Sequence, residues 1–90
     1  MVETHVLTFT ISKPFSEWVK TYDASKPLMK IAGITPLYRG VSKDDPTQVC
    51  AVMQAKAGVM EAFIDDNAEL IAASGHVLES TVSQVFLSGA

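Results

Sequence analysis

A single α+β domain of βαββαβ order is the fold class this sequence predicts, and three observations carry it. Two stretches with the 3.6-residue apolar period of a helix, opening near Pro14 and Gly58, alternate with four stretches rich in β-branched and apolar residues. Turn formers separate them, and Lys43-Asp44-Asp45-Pro46 joins the middle two strands directly as a hairpin. No linker, low-complexity segment or charge run divides the 90 residues, so one domain is expected over 1–90.

The elements follow in order. His5 to Ile11 alternates Leu7, Phe9 and Ile11 with Val6, Thr8 and Thr10, a first strand. Pro14 suits a first helical turn, where its missing N–H is not needed, and Phe15, Trp18, Val19 and Tyr22 then form one apolar stripe. Pro27 would clash with a continuing helix, so a break is expected near Ser25, followed by a short helical piece that Gly33 ends. Ile34 to Ser42 reads as the second strand, and Pro36 puts it on a sheet edge or makes it start late. Gln48 to Ala55 is the third strand. From Gly58, Met60, Phe63, Ile64, Asn67, Leu70 and Ile71 share one helix face, and Ser74 and Gly75 close that helix. Val77 to Leu87 is read as one long final strand, with Val77, Thr81 and Val85 opposed to Leu78, Val82 and Phe86.

Right-handed crossovers place both helices on the same face of a four-stranded antiparallel sheet, the ferredoxin-like arrangement. The other face is left uncovered, and its side chains are not simply polar. Apolar residues make up 48% of the chain and charged residues 19%, more buried-type side chain than so small a monomer hides comfortably. A second copy of the chain, applied through the sheet, is the expected cover, with an apolar ligand or another protein as alternatives.

Composition also excludes partners. The net charge is −3, and the seven Lys and Arg residues are scattered among ten acids, so no nucleic-acid partner is expected. No stretch approaches the ~18 apolar residues of a membrane span, and the first residues lack a cationic segment followed by an apolar one. With Cys50 alone, read as a buried thiol on a strand, no internal disulfide can form, and a cytoplasmic protein is expected. P-loop, GxGxxG, GxSxG and CxxC patterns are all missing, so no cofactor and no metal site is expected.

The element order, Phe15 and Trp18 on the first helix, Gly33-Ile34 before the second strand, and Ala62-Phe63 on the later helix together resemble the dimeric α+β barrel superfamily. The segments Pro36-Leu-Tyr-Arg-Gly-Val-Ser-Lys-Asp-Asp-Pro46 and Ala73-Ser-Gly-His-Val77 more narrowly resemble a small uncharacterised domain family found chiefly in cyanobacteria. The superfamily resemblance implies two ferredoxin-like subunits packed sheet to sheet, often with a pocket between sheet and helices in each. Cofactor-independent quinone-forming monooxygenases and haem-degrading monooxygenases share that barrel. The latter use an Asn, Trp and His constellation; Asn67, Trp18 and His76 are present here as types, but in a different order and setting, so those roles are not carried over.

Three functional classes are compatible with these residues. They are a dimeric module binding a small, largely apolar molecule, a cofactor-independent monooxygenase-like or isomerase-like enzyme, and a small-molecule-sensing regulatory domain. Any pocket should lie between sheet and helices, with Tyr22, Asn67 and His76 as the polar groups contacting a ligand, because they interrupt or border apolar stripes. His76 is read as a structural histidine on a nearby carbonyl or a proton carrier, and His5 as a second ring in the same area. Asn67 would cap a backbone group or touch a ligand, and Trp18 and Tyr22 are core aromatics. Tyr38 and Arg39, adjacent on a strand, must face opposite ways, with Arg39 in an ion pair or on an anion. Asp44 and Asp45 form a solvated turn. No catalytic residue is assigned.

Overall fold

A computed structural model describes residues 2–88. β1 (Val2–Thr10) leads into two helices, α1 (Phe15–Ala24) and α2 (Lys26–Ala32), before the hairpin of β2 (Thr35–Val41) and β3 (Gln48–Lys56). Two more helices, α3 (Val59–Asp66) and α4 (Ala68–Ala73), and a 3₁₀ turn at Leu78–Ser80 precede β4 (Val82–Leu87). The strands form one sheet in the order β2-β3-β1-β4, and every pairing is antiparallel. This is the ferredoxin-like fold, with β1 and β3 in the middle.

Alternation on the central strands decides the core. His5, Leu7, Phe9 and Ile11 from the first strand segment and Val49, Ala51, Met53 and Ala55 from β3 are all buried on the helix-facing side. Trp18, Tyr22, Met29 and Met60 meet them from the helices. The helical break expected near Ser25 is present: the Ser25 hydroxyl donates to the Tyr22 carbonyl at 2.7 Å, and Pro27 lies in the first turn of α2. Gly33, at φ 89°, adopts the left-handed conformation that ends α2 and turns the chain toward β2. Pro36 stands on edge strand β2, beside a register irregularity between Pro36 and Tyr38, where its missing N–H leaves no inner ladder position open.

Three expectations need correction. The later helix is not continuous, because the backbone leaves helical geometry at Asn67 (φ −120°, ψ 20°) and α4 starts afresh. The final strand is shorter than expected: His76 makes only an isolated bridge to Ile11, and Leu78–Ser80 turns before β4 begins at Val82. Alternation alone could not reveal that turn, since its side chains carry the same apolar and polar types as a strand. Cys50 is half-buried rather than buried, because its parity on β3 puts it on the uncovered side of the sheet.

On that uncovered side Val6 lies directly across from Val52, and Thr8 from Cys50. Gln48 donates to Thr10 at 2.8 Å and Gln54 to Thr4 at 3.1 Å, so an apolar centre is bounded by two Gln–Thr pairs. Tyr38, Val82 and Phe86 flank it, each more than half exposed. Asp44 and Asp45 lie in the exposed turn, where Asp45 accepts from the Thr47 amide and hydroxyl; those bonds hold its carboxyl below the usual range.

Candidate functional site

Between the sheet and the helices lies a cavity of about 300 Å³. Its floor is the inner face of β1 and β3, where small Ala51, paired across from Leu7, leaves space that a larger side chain would fill. Met29, Met60, Phe63 and Ile71 line it from the helical layer. Four rings form a run along it: Tyr22 lies 4.8 Å from Trp18 between ring centres, Trp18 lies 5.6 Å from Phe9, and Phe9 stacks on His76 at 3.7 Å and 6°. All four line the cavity.

Tyr22, Asn67 and His76 therefore sit around one space, although each is placed by a different device. Tyr22 comes from the last turn of α1; its hydroxyl is buried with no hydrogen-bond partner. Burial raises its pKa, partly opposed by the Arg39 guanidinium, which lies 5.5 Å from the ring centre. Asn67 occupies the junction of α3 and α4, and its amide nitrogen donates to the Phe63 carbonyl at 2.9 Å. The backbone role expected of Asn67 is thus filled at a residue that also lines the cavity.

His76 is fixed by its neighbours on both sides. Gly75, at φ 99°, packs its α-carbon so close to Lys13 that a side chain there would crowd it, and its carbonyl accepts from the Ser12 amide at 2.8 Å. That contact ties the helix exit to the end of β1. The His76 ring shares a hydrogen bond with the Thr81 hydroxyl at 2.6 Å, not with the carbonyl expected from sequence, since the 3₁₀ turn brings Thr81 back over it. Burial lowers its pKa to about 4.

His5 does not join this group. Its place on β1 is six residues from Ile11, the bridge partner of His76, or about 20 Å of extended strand. Arg39 and Tyr38 face opposite sides as required, and Arg39 pairs with Asp23 within the subunit. Sequence reasoning missed Phe9 as the link between Trp18 and His76; its alternation marked it as core but could not say which rings it would meet.

Residues 2–88 match the family described as Domain of unknown function (DUF3764). The chain belongs to this family. No curated protein matches it in sequence. Among solved structures, it is similar to a candidate antibiotic biosynthesis monooxygenase from Bordetella bronchiseptica, with a TM-score of 0.73 at 10% identity over 99% of this chain and 98% of that one. It is also similar to SnoaB, a cofactor-independent oxygenase from Streptomyces nogalater, with a TM-score of 0.63 at 10% identity over 99% and 94% of the two chains. A NIPSNAP family protein from Agrobacterium tumefaciens gives 0.64 at 13% identity over 99% and 94%. These likenesses establish a shared ferredoxin-like α+β fold. Among the described residues, no helix is long and apolar enough to cross a membrane.

Proposed function

We propose that the protein is a cytoplasmic homodimer that binds one small, largely apolar molecule per subunit between sheet and helices. The observation that carries this reading is the cavity of about 300 Å³ walled by Tyr22, Trp18, Phe9 and His76. A largely apolar space of this size, walled by rings, is what a small-molecule site needs. Its ring-lined wall suits a flat aromatic molecule.

Two of the titratable side chains that line the cavity beside Asp65 favour binding over catalysis. His76, with a pKa of about 4, is neutral at pH 7 and a weak base, and Tyr22 is held in its protonated form. An oxygenase without a cofactor must make its substrate electron-rich, commonly by removing a proton, and neither group is tuned for that. The oxygenase alternative draws on the fold likeness to SnoaB and comes second. Dimer formation is supported by the apolar centre of the uncovered face and by β4, whose side chains are exposed on both sides of the sheet.

Trp18 is the chain's single tryptophan and lines the cavity, so its emission reports occupancy. Titration with 2-naphthol should quench it saturably at one molecule per chain, and native mass spectrometry of the purified protein should reveal a retained small molecule. Ala51→Leu should abolish quenching while leaving a stable fold. Failure of 2-naphthol to saturate, together with loss of stability in Ala51→Leu from overpacking, would mean that the interior is filled.

A further inference from the structure

The far end of the same inner sheet face carries a second cluster. Glu3 and His5, two residues apart on β1, point to the same side, and β1 is in register with the end of β3, where Glu3 faces Ala55. The chain leaves β3 at Lys56 and enters α3 at Val59, which brings Glu61 in the first turn of α3 over that end. One ligand atom from each of Glu3, His5 and Glu61 lies within 4.8 Å of the other two.

His5 is the unusual member. It is only 2% exposed, and its Nε2 has no hydrogen-bond partner. Glu3 Oε1 lies 3.3 Å from that nitrogen but not in hydrogen-bonding alignment. Burying an imidazole nitrogen unpaired is costly, and two carboxylates beside it add mutual repulsion. Among the described residues Glu61 makes no ion pair that would offset this. A divalent cation would resolve both, accepting the nitrogen lone pair and neutralising the carboxylates.

We propose that Glu3, His5 and Glu61 form a binding site for a divalent transition-metal ion of the zinc type. The donor set selects the class: one borderline imidazole nitrogen and two carboxylate oxygens suit zinc and its neighbours, whereas calcium and magnesium take all-oxygen sets. Bonds of about 2.0–2.2 Å around a tetrahedral ion place ligand atoms roughly 3.4 Å apart, so modest rotations of the two glutamate side chains close the set. Glu61 is exposed, which gives the ion a path in and leaves a coordination position for water. The site is independent of the cavity's ligand.

The test uses the full chain, stripped with a chelator and titrated with zinc chloride by calorimetry, with cobalt(II) as an optical probe. One zinc per chain is expected, with visible cobalt absorption that zinc displaces. Glu61→Gln, at an exposed position, should fold as the parent does and bind at least about tenfold more weakly. Glu3→Gln should do the same, and His5→Phe should lose the cobalt band. Unchanged zinc affinity in Glu61→Gln would place the binding elsewhere and overturn the proposal, as would no binding heat at millimolar zinc.

Discussion

β1 and β4 lie side by side in one ladder and are both built of apolar and β-branched residues, yet their fates differ. On β1, His5, Leu7 and Phe9 are 4% exposed or less, whereas on β4, Val82, Val85, Phe86 and Leu87 are 46–61% exposed. The difference is position. β1 is flanked by strands on both edges and packs into the core with the helices, while β4 is an edge strand whose side chains are all exposed. Side chains on both sides of β4 are exposed, and this edge is where the proposed partner copy would pack.

The sharpest separation between the two strands comes from Trp18, which packs on Phe9 of β1. Trp18→Ala should lower stability by about 3–5 kcal/mol per chain in urea denaturation, compared with the parent at the same protein concentration. Phe63→Ala should cost less, because Phe63 is half-buried at the cavity. A loss below about 1 kcal/mol for Trp18→Ala would mean that the wall it forms is not part of the core.

On β4 the same kind of change should act on association. Phe86→Asp should raise the dimer dissociation constant on the order of 30-fold or more, about 2 kcal/mol, with the monomer still folded. Light scattering at micromolar concentration should then move from twice the 9.7 kDa chain mass toward the single chain. A parent protein that is already monomeric would remove the contrast between the strands.

The link between the strands can be titrated. His76 bridges to Ile11 at the end of β1 and bonds to Thr81 at the approach to β4. The fold lowers its pKa from 6.5 to about 4, so the unfolded chain binds the proton more readily. Its contribution to stability is complete above pH 6.5 and is lost as pH falls from there toward 4, by about 1–2 kcal/mol allowing for the water that reaches the ring. His76→Phe should flatten that part of the stability profile; a profile that keeps its slope would assign the effect to another group.

The smallest effect is expected at Ser80, whose hydroxyl accepts from the Thr10 amide at 2.8 Å and pins the 3₁₀ turn to β1. Ser80→Ala should cost about 1 kcal/mol and speed amide exchange at Thr10. Unchanged exchange there would mean that the turn is held by Val77, whose amide donates to the Thr10 carbonyl at 2.9 Å.

By itself the sequence determined what short-range physics controls. Two-residue alternation sorted Leu7, Phe9 and Ile11 from Val6, Thr8 and Thr10, and Pro27 with Gly33 marked where helix had to stop and restart. It also marked Tyr22, Asn67 and His76 as polar interruptions of apolar stripes, and these line one cavity. Only the tertiary structure decided what depends on register and docking between distant segments. Phe9 meets Trp18 and His76 because β1, α1 and the α4 exit converge, and Glu61 reaches His5 because α3 starts over the end of β3. The early end of β4's apparent strand belongs to the same class. Val77 and Thr81 have strand-like side chains, but the Val77 amide, donating to the Thr10 carbonyl, and the Ser80 hydroxyl, accepting from the Thr10 amide, hold a turn between them. Periodicity tells a residue which way to face; only the packed chain tells it what it faces.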